Sequence, residues 1–209
     1  MAAVTPFEAV DVRGFLHRPD GAVRGGLVLT HGAGSNCDAP VLVAAATAFS
    51  AAGLCVLRYD LPFRQRRPSG PPGRGDPARD QAGLAAAVTA LREIAPGPRF
   101  LGGHSYGGRQ ATLLAAAAPD VAAALLLFSY PLHPPNKPDQ PRTEHFPRLK
   151  VPAVFVHGAT DPFGTIAELE AAIAAIPART RVIPIPGAGH DLKRGRFDLA
   201  GVVAALIDA

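Results

Sequence analysis

The chain is predicted to form an α/β fold, with a mostly parallel, doubly wound sheet covered by helices on both faces. Two observations in its 209 residues predict this fold. Apolar, β-prone segments alternate with alanine-rich segments that favour helices, and this alternation is typical of a parallel sheet. The predicted strands are also apolar almost throughout, as strands buried on both faces are.

The predicted elements follow in a regular order, beginning with a short antiparallel pair over residues 7–12 and 13–19. Further strands are predicted within residues 25–34, 54–60, 99–105, 121–130, 151–161 and 180–190, and helices within 38–53, 76–94, 106–118, 165–176 and 198–209. Asp38 is expected to cap the first helix, with Pro40 in its first turn and Gly53 after its end. Asp76 is expected to cap the second helix, with Pro77 at its first helical position.

Two proline-rich segments, at residues 62–75 and 131–150, interrupt the alternation and are predicted as loops. Each follows a strand, so each is expected at the carboxyl edge of the sheet, where open α/β sheets bind ligands. Neither has the length of an inserted domain. Residues 1–209 are therefore predicted to form one domain without a cap.

The composition narrows the classes of partner. The formal net charge is +4 at pH 7, but there is no long run of lysine and arginine, so nucleic acid is not an expected partner. No apolar run approaches the ~18 residues of a membrane span, and the N-terminus lacks the pattern of a signal peptide. The two cysteines do not make a disulfide framework. We expect a soluble, cytoplasmic protein, and nothing in the sequence predicts its oligomeric state.

The segment GHSYG, at residues 103–107, places a serine among glycines between a predicted strand and a predicted helix. This G-x-S-x-G pattern is typical of a nucleophile elbow, a sharp turn that exposes the serine hydroxyl above the sheet edge. The turn brings the chain on either side of Ser105 close together, which explains Gly103 and Gly107. The glycines could instead serve only close packing of the helix on the strand. The strand and the helix around them favour Ser105 as a nucleophile.

A serine nucleophile needs a base, and the base needs a carboxylate that orients it. The expected chain order is serine, acid, histidine. Of seven histidines, His190 alone follows both the serine and the last predicted strand. Asp161 follows the preceding strand in GATDPFG, whereas Asp191 comes after the histidine and breaks the order. A solvent-exposed loop histidine and an ordinary turn aspartate are the alternatives, but together the set Ser105, Asp161 and His190 predicts a catalytic triad.

Acyl transfer also needs backbone N–H groups that bind the oxyanion. One is expected from Tyr106, directly after the nucleophile, and the other from the glycine-rich segment HGAG at residues 31–34. Ala33 is the predicted second donor, with Gly34 the next candidate. A plain tight turn is the alternative interpretation of this segment.

These motifs resemble the α/β-hydrolase-fold superfamily along nearly the whole chain. Residues 102–111 and 130–164 are similar to a small, lidless branch related to the dienelactone hydrolases. That branch includes testis-expressed proteins of unknown substrate and a subunit of a nuclear acetyltransferase complex. Dienelactone hydrolases themselves have cysteine at the elbow, whereas this chain has Ser105, and that difference favours ester chemistry over lactone hydrolysis.

The motifs and the resemblance predict a serine hydrolase of small carboxylic esters or thioesters, working through an acyl-enzyme with no metal or other cofactor. Two alternatives remain: a non-catalytic binding or scaffold protein of the same fold, and an amidase or peptidase that uses the same triad. Because segment 131–150 is too short for a cap, an open or shallow site is expected.

Two further groups of polar residues invite a functional interpretation. The first proline-rich segment carries four arginines: Arg64, Arg66, Arg67 and Arg74. They could meet an anionic group of the substrate, but a solvated surface is favoured in this arginine-rich chain. In the second segment, His133, Glu144 and His145 match no metal-site spacing, which favours structural roles.

Overall fold

The computed structural model describes residues 3–195 and 197–209, which form eight strands and six α-helices. The strands are β1 (Ala3–Ala9), β2 (Val12–Arg18), β3 (Gly25–Thr30), β4 (Leu54–Tyr59), β5 (Arg99–His104), β6 (Ala124–Phe128), β7 (Ala153–Gly158) and β8 (Thr180–Ile185). The helices are α1 (Pro40–Ala51), α2 (Pro62–Arg66), α3 (Asp76–Arg92), α4 (Tyr106–Ala117), α5 (Ile166–Ile173) and α6 (Leu199–Ile207). Single 3₁₀ turns lie at Pro119–Val121 and Phe146–Arg148.

The strands form one sheet in the order β1-β2-β4-β3-β5-β6-β7-β8. β3 to β8 pair in parallel, whereas β1 and β2 are antiparallel at one edge. The predicted mostly parallel sheet is therefore confirmed. After β3 the chain moves outward to β4 and then returns across β3 to β5. The gap between the ends of β3 and β5 is thus a topological switch point, where open α/β sheets bind ligands.

Helices cover both faces of the sheet, as predicted. α1 and α6 pack on one face, and α3, α4 and α5 pack on the other. β4 shows how one strand serves both cores, because its side chains alternate between the faces. Val56 packs with Phe49 of α1, whereas Cys55 and Leu57 belong to the core that includes Leu84 of α3. Each such fully buried large apolar side chain stabilises the fold by about 1.5–3 kcal/mol.

Both strands that contain an internal proline lie at the edges of the sheet. Pro6 is in β1 and Pro184 is in β8, the first and last strands of the sheet order. Proline has no N–H to give to a neighbouring strand, so an edge position avoids a lost ladder hydrogen bond.

The predicted cap of the first helix is wrong. The N-cap of α1 is Ala39, and the Asp38 carboxylate instead accepts a 2.6 Å hydrogen bond from Nη1 of Arg58. The Asp76 cap is also displaced by one residue, since Gly75 is the N-cap of α3 and Asp76 is its first helical residue. In both cases the carboxylate instead binds an arginine. Oδ2 of Asp76 accepts a 2.7 Å hydrogen bond from Nη2 of Arg67.

The first proline-rich segment is not wholly a loop, because its first five residues form α2, with Pro62 at the helix start. The second, residues 131–150, contains only the 3₁₀ turn at its end. The part of the chain described between β6 and β7 therefore holds no helical cap over the sheet edge. No helix within residues 3–195 and 197–209 has both the length and the apolar character needed to cross a bilayer.

Candidate active site

The predicted site residues all follow parallel strands at the same edge of the sheet. Ser105 follows β5, Asp161 follows β7, His190 follows β8, and the HGAG segment follows β3. Because the carboxyl ends of parallel strands meet at one edge, the fold brings these distant positions together.

Ser105 occupies a strained turn between β5 and α4. Its φ is 51° and its ψ is −116°, and residues other than glycine seldom adopt such a positive φ. A Cβ on Gly103 would lie 2.6 Å from the carbonyl oxygen of Thr30 and 3.0 Å from the carbonyl carbon of Gly107. A Cβ on Gly107 would lie 2.6 Å from the carbonyl oxygen of His31. The two glycines thus permit the close approach of α4 to the ends of β3 and β5.

The structure places Ser105, His190 and Asp161 in one chain of hydrogen bonds. Nε2 of His190 lies 2.8 Å from Oγ of Ser105. Nδ1 of His190 lies 2.8 Å from Oδ2 of Asp161 and 3.0 Å from Oδ1. In a neutral imidazole, Nδ1–H donates to the carboxylate, which leaves Nε2 to accept the serine hydroxyl proton. This is the arrangement that nucleophilic acyl transfer requires.

Phe163 contacts both Asp161 and His190 and holds them in place. The Asp161 side chain is fully buried, and its Oδ1 also accepts the N–H of Phe163 at 2.8 Å. The Phe163 ring packs on the imidazole of His190, with ring centroids 4.1 Å apart. His157 approaches Asp161 to 3.7 Å, but its Nε2–H donates to the carbonyl of Gly164. The short hydrogen bonds of Asp161 thus go to the imidazole of His190 and to the N–H of Phe163.

The loop that carries His190 is fixed to both β7 and the elbow. The N–H and the hydroxyl of Thr160 both donate to the carbonyl of Ala188, each at 2.9 Å. On the other side, Nε2–H of His104 donates to the carbonyl of His190 at 2.8 Å. Burial lowers the pKa of His104, which favours the neutral ring. His104 and Thr160 therefore fix the backbone of the loop that carries His190, a role that the sequence did not suggest.

The HGAG segment lies against Ser105, as its place after β3 predicts. A Cβ on Gly32 would be only 3.4 Å from Cβ of Ser105. Nδ1–H of His31 donates to the carbonyl of Gly32 at 2.8 Å, while its Nε2 accepts the N–H of Leu61. Burial lowers the pKa of His31 to about 4, so the ring stays neutral in this double role. Because the two ends of a trans peptide point in opposite directions, Ala33 N–H faces away from His31.

Arg64 fixes the next peptide of the same segment. Its guanidinium donates to the carbonyls of Ala33 at 2.8 Å, Ser35 at 2.8 Å and Gly70 at 3.1 Å. The Ala33 contact turns the N–H of Gly34 away from Arg64. Neither the Ala33 nor the Gly34 N–H donates to a backbone acceptor in the described part of the chain. Both predicted donors are thus available, and Arg64 and His31 determine their orientation.

The prediction that these arginines form a solvated surface is therefore wrong for Arg64, which is buried. Arg66 and Arg67 also have defined partners, because both pair with the buried carboxylate of Asp76. Arg74 is exposed, as expected. The sequence shows a cluster of arginines but not which of them a backbone turn will enclose.

Tyr106 begins α4, so its N–H has no acceptor within the helix. Its hydroxyl donates to Oδ2 of Asp80 at 2.7 Å, and Oδ1 of Asp80 accepts the N–H of Phe63. Burial raises the pKa of Asp80. Asp80 joins α2, α3 and the elbow, and no sequence motif marks it.

An open cavity of about 610 Å³ surrounds the serine. It is lined by residues 32–35, Ser105, His190, Phe163, Pro71, Pro72, Pro131 and two arginines, Arg109 and Arg142. A second cavity of about 560 Å³ lies on the far side of His104 and shares Gly34 and Ser35 with the first. Within the described residues, no three His, Cys, Asp or Glu side chains are placed to hold a metal ion. His145, one of the weighed metal candidates, is instead buried against the Thr112 hydroxyl.

Comparisons with known proteins agree with this architecture. The family described as "Alpha/beta hydrolase domain" matches residues 23–200. A dienelactone hydrolase from Anabaena variabilis is 24% identical, with a TM-score of 0.72 over 98% of this chain and 94% of that one. An α/β serine hydrolase homologue from Coxiella burnetii is 18% identical, with a TM-score of 0.72 over 99% and 96% of the two chains. A serine hydrolase without a lid from Xanthomonas campestris is 16% identical, with a TM-score of 0.67 over 99% and 92%.

Proposed function

Because the chain belongs to the α/β-hydrolase family, in a small branch related to the dienelactone hydrolases, we propose that it is a serine hydrolase of small carboxylic esters or thioesters. The observation that carries the proposal is the unbroken contact from Ser105 through His190 to Asp161, with 2.8 Å at each end of the imidazole. A binding protein of this fold needs none of these contacts. The open cavity without a cap supports small substrates.

In the proposed mechanism, Oγ of Ser105 attacks the ester carbonyl while Nε2 of His190 takes its proton. The carbonyl electron pair moves to the oxygen, which the N–H groups of Tyr106 and of Ala33 or Gly34 bind. Asp161 orients the imidazole and stabilises its positive charge. When the tetrahedral intermediate collapses, the alcohol or thiol leaves with the proton from Nε2. Ser105 is then acylated.

Deacylation repeats the same steps with water. His190 removes a proton from the water as its oxygen attacks the acyl carbon, and a second oxyanion forms in the same place. Collapse breaks the bond to Oγ, and Ser105 regains its proton from Nε2. The carboxylic acid leaves and the free enzyme is restored.

Hydrolysis of p-nitrophenyl acetate by the wild type and by Ser105→Ala tests the proposal. We expect Ser105→Ala to lose turnover and to keep the circular dichroism spectrum of the wild type. Ser69→Ala, which removes an exposed serine outside the cavity, is the matched control and should keep full activity. Undiminished hydrolysis by Ser105→Ala would remove Ser105 from the mechanism, and no hydrolysis by the wild type would favour a binding protein.

A further inference from the structure

Two arginines line the cavity that holds Ser105 and His190. Arg109 lies one turn along α4 from the serine, or about 6 Å along the helix axis, and its N–H donates to the carbonyl of Ser105. Arg142 comes from the proline-rich segment between β6 and β7. The mechanism proposed above uses neither side chain, so their place beside the nucleophile needs another explanation.

The Arg109 guanidinium is only partly satisfied. Nη2 donates to Oε1 of Glu144 at 2.8 Å. Nε is buried and has no hydrogen-bond partner. A buried donor without an acceptor destabilises the folded protein. Among the described residues, Glu144 is the one side chain that accepts a hydrogen bond from this guanidinium group.

Arg142 is held by its backbone, which leaves its side chain free to meet a ligand. Its N–H donates to the carbonyl of Leu132 at 2.7 Å, and its carbonyl accepts the hydroxyl of Tyr130 at 2.7 Å. No carboxylate among the described residues lies within 4 Å of its guanidinium. Burial, and then the charge of Arg109, lower the pKa of Arg142. The Arg142 guanidinium is thus a half-buried cation without a carboxylate in direct contact.

The two arginines that line the cavity share one carboxylate. Among the described residues, no aspartate or glutamate lines the cavity, and Glu144 is the one carboxylate that pairs with either arginine. Because Glu144 pairs with Arg109, the guanidinium group of Arg142 has no carboxylate partner. Guanidinium groups bind carboxylates and phosphates strongly because both can accept two parallel hydrogen bonds.

We propose that the cavity selects esters that carry a second, singly charged carboxylate, which Arg142 and Arg109 bind while Ser105 attacks the ester carbonyl. The proposal rests on the serine-hydrolase function proposed above and names the substrate class of the same site. A carboxylate is favoured over a phosphate monoester, because one negative charge matches the one unpaired guanidinium group of Arg142, whereas two exceed it. Glu144 already shows the geometry of a carboxylate on Arg109.

The first experiment measures selectivity. The substrates are mono-p-nitrophenyl glutarate, which has a free carboxylate, and its neutral methyl ester, with the rate seen with Ser105→Ala subtracted. We expect Arg142→Gln to lower the ratio of kcat/KM for the charged to the neutral ester by about tenfold or more, the effect of a lost hydrogen bond to a charged group. Arg148→Gln makes the same charge change at an exposed position outside the cavity and should keep the ratio. An unchanged ratio in Arg142→Gln, or an equal fall in Arg148→Gln, overturns the proposal.

The second experiment does not depend on turnover. Ser105→Ala is titrated with monomethyl glutarate, dimethyl glutarate and inorganic phosphate, with binding followed by NMR. We expect monomethyl glutarate to bind at least tenfold tighter than the dimethyl ester, and to lose that advantage when Arg142→Gln is added. Equal binding of the two esters overturns the subsite, and tighter binding of phosphate overturns its assignment to a carboxylate. Selective binding in a protein whose wild type hydrolyses no ester would uphold the subsite and refute the proposed function.

Discussion

Nδ1 of His190 lies 2.8 Å from Oδ2 of Asp161, and the aspartate side chain is fully buried. The contact determines which ring nitrogen carries the proton and therefore leaves Nε2 as the base. We expect Asp161→Asn to lower kcat for p-nitrophenyl acetate by roughly 10⁴-fold, the scale of this change in serine proteases. Asp191→Asn, next to the base but largely exposed, is the control and should keep activity within about threefold. Equal losses in the two variants would contradict the role given to Asp161.

Arg64 is predicted to act as a positioning residue for the oxyanion site. Arg64→Gln leaves the carbonyls of Ala33 and Ser35 without their charged donor, so the free energy of unfolding should fall by roughly 2 kcal/mol. Because the Ala33–Gly34 peptide loses its fixed orientation, kcat should fall at least tenfold with little change in KM.

The matched control for Arg64 is Arg74→Gln, which removes an exposed arginine of the same segment. Arg64→Lys restores the positive charge but not the fork of donors. It should recover stability more fully than kcat. A loss of stability in Arg64→Gln with no loss of kcat would show a structural role alone.

Gly107→Ala tests the close contact at the elbow. The added Cβ would lie 2.6 Å from the carbonyl oxygen of His31 and 2.7 Å from Cγ2 of Thr30. Such overpacking costs about 1–3 kcal/mol, so the urea midpoint and the esterase activity should both fall. Gly21→Ala is the control, because nothing lies within 4 Å of its Cβ position and its φ is not positive. Equal urea midpoints for the two variants would contradict the contact.

Three buried histidines predict how stability depends on pH. The three are His17, His31 and His145. In the folded protein, mainly burial lowers the pKa of each ring from 6.5 to about 4. Between these values the unfolded chain binds up to three more protons than the folded one. Their contribution to the free energy of unfolding is thus complete above pH 6.5 and is lost as pH falls toward 4.

Urea unfolding followed by circular dichroism at pH 7, 6 and 5 measures this effect. Each proton contributes a slope of up to ~1.4 kcal/mol per pH unit. His17→Gln removes one titrating group but keeps an acceptor for Nε of Arg58, so its slope should be smaller by about that amount. A flat profile between pH 6.5 and 5 would show that these rings are protonated in the folded state.

Much of the fold could be predicted because strand order and burial leave strong patterns. Apolar strands such as β6 and β7, separated by loops and alanine-rich helices, were placed correctly in the parallel sheet. The cap predictions for Asp38 and Asp76 were wrong because each carboxylate binds an arginine from outside its own helix. Asp38 binds Arg58, and Asp76 binds Arg67. The sequence shows which side chains can cap a helix, but not which ones tertiary contacts will take.

The candidate site also contains residues that the sequence predicts and residues that only the tertiary structure reveals. Ser105, Asp161 and His190 could be chosen from the sequence because each follows a predicted strand in the expected order, and their catalytic roles stay a prediction. Arg64 and Asp80 could not be chosen, because their contacts depend on how the turn before α3 folds against the elbow.

Reaction with a fluorophosphonate probe tests the central claim most directly, since only an activated serine forms the covalent adduct. The account predicts one adduct per chain, mapped by mass spectrometry to the peptide that contains Ser105, absent in Ser105→Ala and much slower in Asp161→Asn. A folded wild-type protein with no adduct on Ser105, or an adduct that persists in Ser105→Ala, would contradict it.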